Sequence, residues 1–351
     1  MKYPPLKTLI VSLVAGFAGP LSAQTTWTGA TNTALNNAGN WDTGLPDSAG
    51  NPGTIPAEAG AITHSFNLNG YFVTQNGGTL TSSVAFSPSN GSWTLNDGGS
   101  LTTGVTISLQ NIDDGHQDLI MNGGTLGATQ LNVSSTGTNR SASFTMSGGT
   151  ATLSGRLDIN AGGSVTINGG SLTAASNRMN DASTTLTING GGIDLGTEFG
   201  RSGSIFMNGG STTADSLSTY AGFGMTFGGT TAGSLTVGAL GGSFMPPNRY
   251  FDWLTGSQMT FTVADTADWA EAEWTANRMF FNGGSGSDLG LSWADAINPL
   301  IGFDAGGGTY FDWNGTSRTL ALVTAVPEPS SFALLGVGMT ALVVFRRRRN
   351  A

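Results

Sequence analysis

One short phrase recurs through the middle of this chain and constrains its fold more than any other feature. Two apolar residues flank a variable one, and Asn or Ser, a Gly-Gly pair, and Ser or Thr follow. The phrase reads LIMNGGT at 119–125, FTMSGGT at 144–150, VTINGGS at 165–171, LTINGGG at 186–192 and IFMNGGS at 205–211. Looser copies are FVTQNGGT at 72–79, WTLNDGGS at 93–100, MTFGGT at 225–230 and MFFNGGS at 279–285. The second apolar residue falls at Met121, Met146, Ile167, Ile188, Met207 and Phe227, giving spacings of 25, 21, 21, 19 and 20. A repeat of that length cannot bury its few apolar residues alone, so successive copies must stack on one another.

The alternation in Val165-Thr166-Ile167 and Leu186-Thr187-Ile188 has period two, which predicts strands with one face inside. Asn-Gly-Gly directly afterwards supplies residues that tolerate positive φ, as a sharp corner requires. About twenty residues per turn suffice for three short strands and three corners, the geometry of a parallel β-helix. With coils about 4.8 Å apart, some eight turns would form a rod of roughly 40 Å. Asn76, Asn122, Asn168, Asn189, Asn208 and Asn282 are expected to share one corner and to bond along the axis, with Ser147 interrupting the row. The expected class is therefore all-β, a solenoid over 65–242 with a capping segment at 24–64 and a β-rich cap at 243–325. The only helix expected between the two chain ends lies within Asp268 to Met279.

Composition narrows the chemistry. Gly contributes 55 of 351 residues and charged residues only 10%. Cysteine is absent, which excludes disulfides, zinc-thiolate sites and a Cys nucleophile. His64 and His116 are the only histidines. Neither a cofactor nor a metal is expected, and the chain is read as non-catalytic.

The two ends read as addresses. Lys2 and Lys7 precede an apolar core at 9–19, and Leu21-Ser22-Ala23 offers a cleavage site, so 1–23 is expected to be a signal peptide. At the other end Val326-Pro327-Glu328-Pro329 precedes an apolar stretch at 332–345 and then Arg346, Arg347, Arg348 and Arg349. Fourteen apolar residues are short for a bilayer, but flanking arginines extend their reach and stay cytoplasmic by the positive-inside rule. This ending, 326–351, resembles the PEP-CTERM sorting signal of Gram-negative bacteria. The resemblance implies a membrane-spanning helix and recognition and cleavage by an exosortase. A transient anchorage in the inner membrane would precede release to the cell surface or the exopolysaccharide matrix. A structural or adhesive role, associated with polysaccharide, is the expectation that follows.

Between 24 and 325 there are seven arginines, no lysine and 21 acidic residues, a net charge of −14. Such a domain is expected to repel nucleic acid. Its opening, with Trp27-Thr28-Gly29 and Asn40-Trp41, resembles that of autotransporter-associated β-strand repeat proteins, and the two tryptophans are expected to cover the first coil. Trp253, Trp269, Trp274, Trp293 and Trp313 concentrate near the C-terminus, where core packing is the commoner fate of Trp and sugar stacking the functional alternative.

The rival to a structural role is a polysaccharide lyase or glycoside hydrolase on the same scaffold. Its candidate cation or acid–base residues are Asp113, Asp114, His116 and Asp118. Their adjacency in one loop counts against catalysis, since such sites are assembled across coils. Gly283 to Asp288 begins like a calcium-binding nonapeptide, but Gly290 stands where an apolar residue is required and no tandem copy follows.

Overall fold

A computed structural model describes residues 24–46, 48–66, 68, 70–111, 115–135, 140–241, 250–303 and 308–324. The predicted signal peptide, Asp113, Asp114 and the C-terminal sorting segment lie outside the described residues. The chain winds into a three-sided parallel β-solenoid, as the period and the alternation imply.

The repeated phrase builds the first face. Its strands are Phe72–Gln75, Ser92–Leu95, Gly115–Met121, Arg140–Met146, Gly163–Ile167 and Thr185–Ile188, and the ladder continues through 203–207, 223–227, Tyr250–Trp253 and Met279–Phe281. Register is strict. Met121 pairs with Met146, Met146 with Ile167, Ile167 with Ile188 and Ile188 with Met207, and each is 0 or 1% exposed. A slip of one residue would turn this whole column toward water, so burial fixes the pairing.

The corner after each first-face strand is made by the Gly-Gly pair. The second glycine is left-handed in most copies, with φ of +71° at Gly124, +79° at Gly149, +83° at Gly170 and +85° at Gly191, whereas in the looser copies at 93–100 and 279–285 the first takes that role, at Gly98 and Gly283. Close stacking adds a second reason for glycine. A Cβ on Gly149 would stand 2.5 Å from the Gly124 carbonyl oxygen of the coil below.

The corner leads to a second face, which includes Thr79–Ser82, Ser100–Thr103, Thr125–Ala128, 150–153, 171–174 and 210–214. A third face carries Thr106–Asn111, Gln130–Ser135, 156–159, 176–179, 199–201 and 216–219. Long strands such as Thr150–Ile159 run from the second face into the third, with a register shift between Leu153 and Arg156 where they bend.

Parallel pairing does not stop where the repeated phrase does. It reaches Thr25–Thr26, paired with Gly53 and Thr54, and at the far end Met279–Phe281. The flanks are thus built on the same ladder as the repeats. The physical reason is that backbone hydrogen bonds require strands at coil spacing, not the Asn-Gly-Gly phrase itself.

At the N-terminal end Trp27 and Trp41 pack edge to face at 5.3 Å and are 5% and 4% exposed. Asp42 Oδ1 accepts the Thr26 N–H at 2.7 Å. At the C-terminal end Thr319–Thr324 lies antiparallel on Met259–Val263 and pairs with Thr309–Asn314. Trp269–Thr275 is the one helix expected. Two further single-turn helices, Gly286–Leu289 and Trp293–Ala296, begin with Ser–Asp capping boxes. Asp288, which resembled a calcium ligand in sequence, instead receives the Ser285 N–H and hydroxyl at 3.0 and 2.6 Å.

Candidate functional site on the third face

The Asn corner is continuous in two stretches. Asn96 Nδ2 donates to Asn76 Oδ1 at 2.7 Å and Asn122 Nδ2 to Asn96 Oδ1 at 3.0 Å. Above Ser147 the row resumes, with Asn189 donating to Asn168 at 2.8 Å and Asn208 to Asn189 at 2.9 Å. Asn282 sits outside the row and donates to Thr255 Oγ1 at 2.7 Å. A second ladder follows the third face, where Asn180 donates to Asn160 and Asn160 to Asn132.

Of the sequence-predicted site residues, His116 and Asp118 lie on Gly115–Met121 and alternate with buried Gln117 and Leu119, so both project outward. Each is occupied by the next coil. His116 Nδ1 bonds Ser141 Oγ, and Asp118 Oδ1 accepts the Ser143 hydroxyl at 2.6 Å. They do not converge. Among the described residues no group of three or more His, Asp and Glu is placed to hold a metal.

The aromatic region is a core. Trp253 stacks on Phe227 at 4.3 Å, Phe281 on Phe303 at 4.3 Å, and Trp253, Trp269 and Trp274 are each no more than 3% exposed. Trp293 and Trp313 are half-buried against Phe311 and Trp269 respectively. A cleft of about 590 Å³ opens beside Trp293 and Trp274, lined also by Glu271, Asn277, Ser287 and Ser292.

The densest charged constellation lies elsewhere, on three successive coils of the third face. Asp158 pairs in register with Arg178, and Arg156 Nε reaches Asp158 Oδ2 at 3.3 Å. Glu198, one coil on, accepts from Arg178 Nε at 3.1 Å and from Arg201 Nε at 2.9 Å. Arg201 also lies over the Tyr220 ring, 5.5 Å from its centre. Burial pushes the Glu198 carboxyl up, but hydrogen bonds from Arg201 and Ser218, the charge of Arg201 and a bond from Arg178 outweigh it and hold the group below its ordinary value.

The backbone is unusual at the same spot. Arg201 has φ +112°, and the register of its strand shifts between Arg201 and Gly203. A bulge re-aims the side chains beside it, and strain of this kind persists only where surroundings enforce it. Sequence reasoning passed over this cluster because no repeated phrase marks the third face. The available signal was opposite charge recurring at one period, with Asp158, Arg178 and Glu198 each twenty residues apart.

Among the described residues no helix is long and apolar enough to cross a membrane. No curated protein and no solved structure matches the chain. Residues 325–349 of this β-solenoid chain match the PEP-CTERM protein-sorting motif, which implies an exported, exosortase-targeted protein anchored transiently at the membrane.

Proposed function

We propose that the exported protein is a non-catalytic, rigid rod with a structural or adhesive role in the extracellular polysaccharide. The observation that carries this reading is the outward surface of the solenoid. Serine and threonine alternate with buried residues on successive rungs, as in Ser143, Thr145, Ser164, Thr166, Thr185 and Thr187 on the first face and Thr150, Thr152, Ser171 and Thr173 on the second. Hydroxyls displayed at coil spacing both donate and accept, which suits the hydroxyl-rich surface of a glycan. Among the described residues, three carboxylates that a lyase or hydrolase could recruit are engaged in other bonds, which supports the non-catalytic reading. Asp118 is held by Ser143, Asp158 by Arg156, and Glu198 by two arginines.

A glycan array tests the adhesive role, and incubation with uronic-acid polymers tests the rival enzyme. Retention without chain cleavage is expected. Appearance of shortened or unsaturated products would replace the structural reading with the catalytic one.

A further inference from the structure

Three of the seven arginines between residues 24 and 325 gather on one patch of the third face. Their two carboxylate partners lie beneath them. The side chains of Asp158 and Glu198 are 8% and 16% exposed, whereas those of Arg156, Arg178 and Arg201 are 42%, 34% and 30% exposed. Water and any ligand therefore meet guanidinium, and three cations over two anions leave the patch locally positive.

We propose that Arg156, Arg178 and Arg201, with Tyr220 beside them, form a docking site for acidic sugar residues of an extracellular polysaccharide. The proposal rests on the polysaccharide-associated reading above and names its chemical class. Arg156 and Arg178 engage their partners through Nε. Their terminal nitrogens thereby present the planar fork that binds a carboxylate in two parallel bonds. The Tyr220 ring, already against Arg201, offers a flat apolar surface for a pyranose. On the next coil Ser216 is small, hydroxylated and half-exposed, while the buried Ser218 hydroxyl bonds Glu198.

Geometry matches a polymer rather than a single sugar. The arginines occupy three consecutive coils, and coils are about 4.8 Å apart. That step is close to the rise per residue of an extended glycan, so successive acidic sugars would meet successive coils. The charge of −14 between residues 24 and 325 opposes any polyanion. At physiological salt, however, fields are screened beyond about 8 Å, so the local cations decide contact. At about 0.01 M salt the screening length reaches roughly 30 Å and the whole domain repels. Binding should thus pass through a maximum as salt rises, instead of falling steadily.

The test is retention of the full chain, purified in detergent, on immobilised polygalacturonate and on neutral dextran. The wild-type chain should bind the first and not the second. Arg156→Gln with Arg178→Gln should weaken binding about tenfold or more, the scale of a lost charged contact, with unchanged circular dichroism. Should that pair fail to fold, Arg156→Gln alone leaves the Glu198 ion pairs intact and decides the matter by the same readout. Equal affinity of a folded variant overturns the site but leaves the polysaccharide reading standing. Equal retention on dextran, or equal binding of single-stranded DNA, overturns the acidic-sugar class. Failure to bind any glycan removes both readings together.

Discussion

Asn168 Oδ1 accepts a hydrogen bond from Asn189 Nδ2 at 2.8 Å, and the two residues occupy the same corner of adjacent coils, twenty-one positions apart. Asn122, the last member of the lower row, and Asn168, the first of the upper, are separated only by the coil carrying Ser147. A serine side chain is too short to span both neighbours.

Ser147→Asn should therefore join the two rows. Each exposed bond gained contributes about 0.5–1.5 kcal/mol, and about 1 kcal/mol shifts the midpoint of a domain this size by roughly 2 °C. Thermal unfolding followed by circular dichroism should show the rise. A midpoint that stays put or falls would mean that the corner does not reward the added amide.

The corner glycine is predicted to be intolerant. Gly149→Ala adds a Cβ to a residue at φ +79° and sets it 2.5 Å from the Gly124 carbonyl. That carbonyl already accepts the Thr150 N–H at 3.0 Å, so it cannot retreat without breaking the ladder. A loss of about 2–4 kcal/mol is expected from strain and displaced backbone together, measured by urea denaturation. Ala at Gly192, which would meet nothing within 4 Å, is the mild comparison.

Inward and outward positions of one strand should behave oppositely. Ile167 is 1% exposed between Met146 and Ile188, whereas Thr166 faces outward. Ile167→Ala should cost about 2–5 kcal/mol. Thr166→Ala should stay within about 0.5 kcal/mol of wild type. Similar losses at both would contradict the assigned face of every strand in the column.

His64 gives the fold a pH dependence. Its ring is buried against Phe66 and Phe86, at 4.9 and 5.5 Å. Ser82 Oγ donates to the Val84 carbonyl, so it accepts from His64 Nδ1 at 2.6 Å. Burial lowers the histidine to about 4 from its ordinary 6.5, against a weaker opposing hydrogen bond at Phe66. The unfolded chain takes up a proton near pH 6.5 and the folded chain only near 4. Stability is therefore full above pH 6.5 and declines as pH falls to about 4, by about 3 kcal/mol in all. His64→Phe should flatten that slope in denaturation midpoints measured between pH 7 and 4. An unchanged slope would assign it to other groups.

The sorting motif predicts its own processing. Intact mass of the exported protein should show loss of a C-terminal peptide near Val326 to Pro329, and replacing Arg346, Arg347, Arg348 and Arg349 with Ala should abolish it. Identical mass and release in that variant would sever the motif from export.

The parts of this fold legible in the sequence are those that physics writes locally. Alternation at Val165-Thr166-Ile167 announces an inward column, and Gly-Gly announces the left-handed corner that follows. What stayed hidden depends on register between distant residues. Asn96 joins the corner row although its phrase carries an extra Asp97, and Asn132, Asn160 and Asn180 form a ladder that no common phrase surrounds. The guanidinium patch was hidden for the same reason, since Asp158 and Arg178 meet only because a coil closes between them. The carboxylates near His116 show the converse. Asp118 and His116 are close in sequence, yet each is tied to a serine of the neighbouring coil.

The strand Thr319–Thr324 runs against Met259–Val263, and Gly284–Ser285 runs against Met279–Phe281. On these two sides a reversed strand occupies the hydrogen-bonding groups on which a further parallel layer, or a neighbouring molecule, would grow. Those two edges are accordingly closed to strand-by-strand growth at this end, so the reversed strands set where the ladder stops there.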